Sequence, residues 1–518
     1  MQIVFFVIRI SRGLLVFVCG FLCSCTILPK IENKPVALAL PTPQSGPLVT
    51  ASRSLAQGRA KGDSSFLLLE NAGEALKWRL ALIDSAQSSL DIQLYLWHGG
   101  TSSELLMERA IQAADRGVRV RILVDDFLLK ANNAMLATLC RNHPNFKIRI
   151  FNPGRVQGSK IGGMAEMLAN FSRLNRRMHN KTFTADRCMT IVGGRNIGDH
   201  YYGMDKDYNF IDLDVLTAGP VVAEVSDGFD EFWNDPAAFP GEYLSKKNVP
   251  GKVAEARSNF RKTLWNERNG KLKGYPIKYH NWSRELAKLQ DEMVGGHARF
   301  VQDDPDPEED KREVMANLRR LAADRSGEIQ MASPYLIPSK EGLENLANLH
   351  AEGMRIQVLV PSLAANNHAI VDGHYRKHRK ALVDGGGILS EFRADPTERV
   401  RALADVESVR CKRVTLHLKA VVGDRKQCFI GSLNLDPRAT DINTESGLMI
   451  ESPELAADLG NLIELLGNEE NSWRVSRDDR GRIQWQSRGE VRHRPPPARL
   501  GHRLLGWFAG LLPIGGQL

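Results

Sequence analysis

The feature that most constrains this chain is an internal duplication. Ile92-Gln93 returns as Ile329-Gln330 after 237 residues, and Gly117 to Val124 (GVRVRILV) returns as Gly353 to Val360 (GMRIQVLV) after 236. A third stretch repeats at a spacing of 238: His179-Asn180-Lys181 with Asp186, then His417-Leu418-Lys419 with Asp424. A near-constant offset held across so much chain indicates two homologous halves rather than scattered coincidences. At 518 residues the chain is also too long for one ordinary core, so the halves are expected as two domains.

Each half alternates strand and helix. Residues 90–97 read as a buried strand, 103–116 as a helix with apolar three-to-four spacing, and 118–125 as the next strand. The second half repeats that order at 328–335, 340–351 and 355–360, and in each half the motif is expected on a later strand. Such alternation implies an α/β class: two homologous α/β sandwich domains, each a mixed sheet flanked by helices. The expected division is residues 61–244 for the first domain, 245–300 for a connector, 301–475 for the second domain and 476–518 for a basic and apolar tail.

The duplicated motif carries chemistry. Both copies fit His-x-Lys-x4-Asp, and seven residues after each Asp begins a small-residue turn ending in Asn, Gly193-Gly194-Arg195-Asn196 and Gly431-Ser432-Leu433-Asn434. An imidazole can attack phosphorus and an ammonium can hold a phosphate oxygen. Two such sets are suited to surround a single phosphodiester. A lone His-Lys pair at a strand end is usually surface chemistry with no role, but duplication with matching turns argues against that reading here.

The net charge of +8 favours an anionic partner, either nucleic acid or an acidic membrane surface. The first residues help to choose. Arg9 and Arg12, an apolar run from Gly13 to Leu22 and then Leu22-Cys23-Ser24-Cys25 resemble a bacterial lipoprotein signal, with residues 1–24 as the signal and Cys25 as the lipidated residue. An uncleaved signal anchor is the alternative. Acyl chains on Cys25 would give stable attachment, and Thr26 in place of Asp leaves outer and inner membranes both open, on the periplasmic side of a bacterial envelope. Pro35, Pro41, Pro43 and Pro47 make residues 25–60 read as a flexible tether.

Beyond the signal, Cys140, Cys188, Cys411 and Cys428 fit no zinc spacing and are expected as buried thiols, with a disulfide from Cys188 or Cys428 as the alternative. The acidic run from Asp303 to Lys311 reads as a solvated turn, since it lacks the Gly and ligand spacing of a calcium loop. At the other end, Arg488, Arg492, Arg494, Arg499 and Arg503 flank an apolar segment from Leu504 to Ile514 that is too short and too interrupted to span a bilayer. That segment is expected to pack on the domain or to dip into an anionic interface.

With the paired motifs in place, residues 65–470 resemble the phospholipase D superfamily. Within it, the lipoprotein-like start, the stretch Asn209 to Val215 and the stretch Gly431 to Arg438 are most similar to bacterial cardiolipin synthases of the C type. The resemblance implies a pseudo-twofold pair of domains with one active site at their interface, so that neither half acts alone. It implies phosphatidyl transfer through a phosphohistidine, with His179 as nucleophile and His417 as acid and then base. Lys181 and Lys419 would clamp the phosphate, and Asn196, Ser432 and Asn434 would add hydrogen bonds. Asp212 and Glu445 would orient the opposing imidazoles, while Asp186 and Asp424 brace the motif loops. No metal or other cofactor is required by this scheme.

Phospholipids and a membrane surface are the expected partners, with no nucleic acid, and an accessory protein is left open. The product depends on the acceptor. Phosphatidylglycerol attacking the intermediate gives cardiolipin, whereas water gives phosphatidate, as a phospholipase would. A secreted phosphodiesterase or nuclease is the alternative from another substrate class, because superfamily nucleases use the same motifs. An inactive lipid-binding envelope protein is a third reading, ranked behind both because every motif residue is present.

Overall fold

The expected strand–helix alternation is present in the computed structural model, which describes residues 26–27, 31, 33–125, 132–154, 156–157, 174–306, 311–323 and 327–511. The signal (residues 1–24) and Cys25 lie outside the described residues. Besides a two-residue antiparallel pairing of Thr26–Ile27 with Val156–Gln157, the strands of the first half are β1 Ser64–Leu69, β2 Ser89–Leu94, β3 Arg119–Asp125, β4 Phe146–Phe151, β5 Thr182–Ala185, β6 Met189–Gly193, β7 Tyr208–Ile211, β8 Asp214–Ala218 and β9 Ala238–Pro240. In the second they are β10 Val294–Gln302, β11 Glu328–Ala332, β12 Arg355–Pro361, β13 Ile388–Phe392, β14 Arg413–Leu416, β15 Ala420–Gly423, β16 Gln427–Gly431, β17 Ser446–Glu451 and β18 Ser472–Arg477, then β19 Ile483–Ser487 and β20 Glu490–Arg492.

The pairing order makes the duplication visible. The first half runs β9-β4-β3-β2-β5-β6-β8-β1. The second runs β10-β17-β16-β15-β11-β12-β13-β18-β19-β20. Reading outward from the β1–β10 junction gives the same succession in both directions, which is a pseudo-twofold relation. In each half three neighbouring strands are parallel (β2-β3-β4 and β11-β12-β13) and the rest antiparallel, a mixed sheet. Helices cover both faces, so β2 is buried at every position and its sequence is not a clean alternation.

Two short ties cross between the halves away from the main sheet. β7 pairs in parallel with β14, Tyr208 opposite Arg413 through Ile211 opposite Leu416. Met178 bridges Thr444 in the same sense. These ties sit immediately before the two motifs.

Four expectations need correction. Residues 33–46 are not a flexible tether: their carbonyls satisfy buried guanidiniums, with Arg149 donating to Pro35 O, Arg121 to Ala37 O and Arg119 to Leu38 O. The helix Pro47–Ala56 that follows buries Leu48, Val49 and Leu55. The connector does not end at 300, because β10 is one continuous strand that pairs with both halves. The second sheet does not stop at 475 either: β18 runs through that boundary, and Trp485 on β19 is buried with its indole N–H donated to Glu391. Asp303, read as part of a solvated turn, is buried at 2% exposure.

Elsewhere the boundaries agree closely. The helix expected at 340–351 spans Lys340–Ala351, and the one expected at 103–116 spans Thr101–Asp115. Each motif is carried on a strand as expected: its His and Lys stand just ahead of β5 or β15, its next four residues form that strand, and its Asp follows the strand.

Candidate active site

The two ties bring the motifs to one place. His179 N donates to Thr444 O at 2.9 Å and His417 N donates to Ile211 O at 2.8 Å, so each motif histidine is laid against the backbone of the other half. The side chains cross in the same way. His179 Nδ1 lies 2.9 Å from both carboxylate oxygens of Glu445, and His417 Nδ1 lies 2.6 Å from Asp212 Oδ2. An imidazole held by carboxylate at Nδ1 presents Nε2 as its working nitrogen. Neither half contains both members of either pair.

The lysines follow the same symmetry. Lys181 Nζ and Lys419 Nζ each donate at 2.6 Å to the carbonyl of their own motif histidine, and Lys419 Nζ also lies 2.9 Å from His417 Nδ1. All four side chains are nearly removed from solvent. Aromatic rings complete the walls: Tyr95 stands edge-on to His179 at 4.9 Å, and Phe210 packs against His417 at 4.7 Å.

The supporting residues divide into those near the imidazoles and those that hold the loops. Asp186 and Asp424 brace: Asp186 accepts from the backbone of Gln87, Ser88 and Ser89, and Asp424 from Gly327 and Glu328. Both sit at positive φ, where a short polar side chain is tolerated. Ser432 is spent on Glu445 Oε2 and on the Ser446 N–H. Asn196 is likewise committed, accepting from Leu96 N and donating to the Tyr201 hydroxyl. Only Asn434 keeps a buried amide oxygen without a partner. The hydrogen bonds of Asn196 and Ser432 are therefore taken up within the protein.

Sequence reasoning missed several contributors. Asp303 accepts from Glu445 N at 3.0 Å and from Val314 N at 3.1 Å, fixing the backbone that carries the His179 partner. Arg195, fully buried, donates to Asp212 O and Leu69 O, fixing the backbone of the His417 partner. Arg438 adds positive charge near His179 and is held by Asn175 Oδ1 at 2.8 Å. Arg195 and Arg438 lie within or just after the motif turns, a clue that charge at a tight turn is rarely idle. Asp303 offered no local signal, since its partner is 142 residues away.

Burial sets the protonation states. It pushes both imidazoles down, His179 well below its ordinary value and His417 to about 3, with the lysines adding to the shift. Burial lowers Lys181 to about 7 and Lys419 to about 8. The two carboxylates part company. Asp212 resists burial because His417 and Lys419 hold it at about 2, whereas burial carries Glu445 up to about 8. Buried Asp303 and Asp436 beside Glu445 are raised to about 7, first by desolvation and then by Glu445 itself. The four described thiols are free and buried, and burial raises each. Among the described residues, no cluster of three or more His, Cys, Asp or Glu side chains forms a candidate metal site.

Comparison with known proteins agrees with this architecture. The family model described as cardiolipin synthase, PLD-like domain, matches twice, over residues 80–233 and 320–466. Cardiolipin synthase C of Escherichia coli K12 is 33% identical over 467 residues, covering 88% of this chain and 96% of that protein. An uncharacterized protein of Helicobacter pylori strain 26695 is 29% identical over 418 residues, 80% of each chain. Among solved structures, phosphatidylserine synthase of Haemophilus influenzae Rd KW20 superposes with a TM-score of 0.53 at 15% identity, covering 82% of this chain and 91% of that one. At that identity the likeness speaks to the fold.

Proposed function

The chain belongs to the cardiolipin synthase family with its phospholipase D-like domains, and from that premise we propose that it forms cardiolipin by phosphatidyl transfer through a phosphohistidine. His179 Nε2 attacks the phosphorus of a donor phospholipid and forms the P–N bond as the P–O bond to the donor alcohol breaks. His417 Nε2 gives that alcohol its proton. The hydroxyl of phosphatidylglycerol then enters, His417 takes its proton, and the new P–O bond forms as the P–N bond to His179 breaks. Lys181 and Lys419 hold the non-bridging oxygens throughout, with the Asn434 amide N–H adding a hydrogen bond.

The observation that carries this reading is the crossed pairing of His179 with Glu445 and His417 with Asp212. It supplies two oriented imidazoles in one site, as a two-step transfer between a nucleophile and an acid–base requires. The difference between the carboxylates supports the division of roles. Both imidazoles rest neutral, the form of His179 that attacks; ionised Asp212 opposes the lowering of His417, and the negative charge of a bound phosphodiester would add to that pull toward the protonated form that donates. On this reading the protein works at a phospholipid surface of a bacterial envelope, with Cys25 as its acylated anchor.

The test is lipid analysis of cells that lack cardiolipin, expressing this chain or its His179→Ala or His417→Ala form. Cardiolipin restored by the wild type alone is the expected result. Phosphatidate in its place makes water the acceptor, and unchanged lipids in all three strains overturn the proposal in favour of a nuclease or a silent envelope protein.

A further inference from the structure

Residues 491–518 contain Arg492, Arg494, Arg499 and Arg503 and not one Asp or Glu. Within them the helix Leu500–Leu511 packs along the helix Ala369–Asp384. The fit is tight at Gly506, where an added Cβ would stand 3.0 Å from Ala369 O and from the Arg376 guanidinium. One face of the C-terminal helix is thereby fixed to the protein. What remains outward is unusual for a water-facing surface: Trp507 is 56% exposed and Leu504 51%, and Ile370 lies exposed at the start of the supporting helix.

Basic side chains lie beside the C-terminal helix, Arg376 against Gly506 among them. Arg376 and Arg379 from the supporting helix and Arg494 and Arg503 from the tail line a cavity of about 160 Å³. Its two carboxylates are already engaged. Asp372 pairs with Arg376 at 3.0 Å, and Glu391 takes Arg379, the Tyr375 hydroxyl and the Trp485 indole. Arg494 and Arg503, both exposed, are thus not neutralised by the carboxylates of the cavity they line, and exposed Lys377 and Lys380 extend the positive field along the same helix. Exposed Trp and Leu beside Arg and Lys are what an anionic lipid interface selects, with rings at headgroup depth and cations at the phosphates. The helix has 12 residues, about 18 Å at 1.5 Å per residue, so it can lie in a leaflet and not cross it.

The face also has a position. The supporting helix begins two residues after Asn367, whose side chain accepts from the Tyr335 hydroxyl at 2.9 Å, and the Tyr335 ring lies 6.4 Å from the His417 imidazole. We propose that the C-terminal helix, together with the basic face of the helix Ala369–Asp384, is a docking surface for an anionic phospholipid bilayer that sets the paired-motif site against the membrane. This surface acts independently of the N-terminal anchor and of turnover.

The experiment uses the full chain with vesicles of phosphatidylcholine carrying brominated phosphatidylglycerol, which quench tryptophans that enter the bilayer. Wild type and the inactive His417→Ala form should be quenched alike, and Trp507→Phe should lose the bromine-dependent part of the signal. Arg494→Gln, Arg499→Gln and Arg503→Gln combined should weaken partitioning roughly a hundredfold, as should replacing phosphatidylglycerol with phosphatidylcholine. Hydrolysis of a soluble phosphodiester by these surface variants should match the wild type, which shows them folded. Quenching undiminished in Trp507→Phe, or insensitive to the arginines, overturns the proposal and points to another membrane face; no quenching in any form leaves the patch to a protein or nucleic-acid partner and equally overturns it.

Discussion

The two halves of the site differ where symmetry would predict sameness. On one side His417 leans on Asp212, whose other oxygen takes the Leu213 N–H and whose neighbour in the turn is Gly194. On the other, His179 leans on Glu445, a longer acid steadied by Ser432 in the place of that glycine. The exchange is coupled by space: a Cβ on Gly194 would stand 2.2 Å from Asp212 Oδ1. The short acid lies close to the turn and keeps its charge, and the long acid, sharing a buried cluster with Asp303 and Asp436, tends to keep its proton. One scaffold thereby carries two imidazoles in different electrostatic settings, which is what a nucleophile and an acid–base partner need.

The largest break in the comparison should come from the histidines. His179→Ala should lower kcat by roughly 10⁴-fold or more, since a lost nucleophile has no substitute. His417→Ala should cost roughly 10²- to 10⁴-fold, and a donor with an acidic leaving alcohol, which needs no proton, should recover most of the first step. Equal losses that no leaving group rescues would erase the proposed division of roles.

The carboxylates give the next effect. Asp212→Asn should cost roughly 10³- to 10⁴-fold, the scale seen when an ionised partner of a catalytic imidazole is neutralised. Glu445→Gln should cost no more than about tenfold, the worth of a hydrogen bond, because the acid it replaces already tends to be protonated near neutrality. Steady-state kcat for the two variants decides it, and a reversed order would mean that Glu445 is the charged member. Backbone effects should be smaller and follow the same asymmetry. Gly194→Ala must displace Asp212 and should cost about a hundredfold, whereas Ser432→Ala removes one hydrogen bond and should cost about tenfold.

A pH profile sharpens the picture with the least perturbation. In the proposed mechanism the lysines hold phosphate only when protonated, and burial lowers Lys181 to about 7 and Lys419 to about 8. That protonated form is complete below these values and is lost as pH rises through them, so kcat/KM should fall across the window from about 7 to 8. Lys181→Arg, whose guanidinium stays charged, should move the alkaline fall upward, toward the Lys419 value of about 8.

Much of this site is legible in the sequence because its signals are short and repeated. His179, Lys181, His417 and Lys419 stand at fixed spacings, and the downstream Asp212 and Glu445 follow each turn. The helix at Lys340–Ala351 is equally plain from its spacing. What escapes is what depends on distant partners. Asp303 reads as a solvated acid because nothing near it shows that Glu445 N needs an acceptor. Residues 33–46 read as a tether because the guanidiniums of Arg119, Arg121 and Arg149 that hold them are met only in the folded sheet. Asn196 has the composition of a phosphate ligand, yet Leu96 N and the Tyr201 hydroxyl claim its amide. β19 and β20 are short and flanked by charge, so the tail conceals two strands.

The measurement that bears most directly on the divided site is trapping of the covalent intermediate. His417→Asn enzyme mixed with a donor phospholipid labelled at phosphorus, bearing an acidic leaving alcohol and quenched within one turnover, should carry acid-labile, base-stable label on the peptide containing His179. Label on the His417 peptide of the corresponding His179→Asn enzyme, with none at His179, would contradict the account.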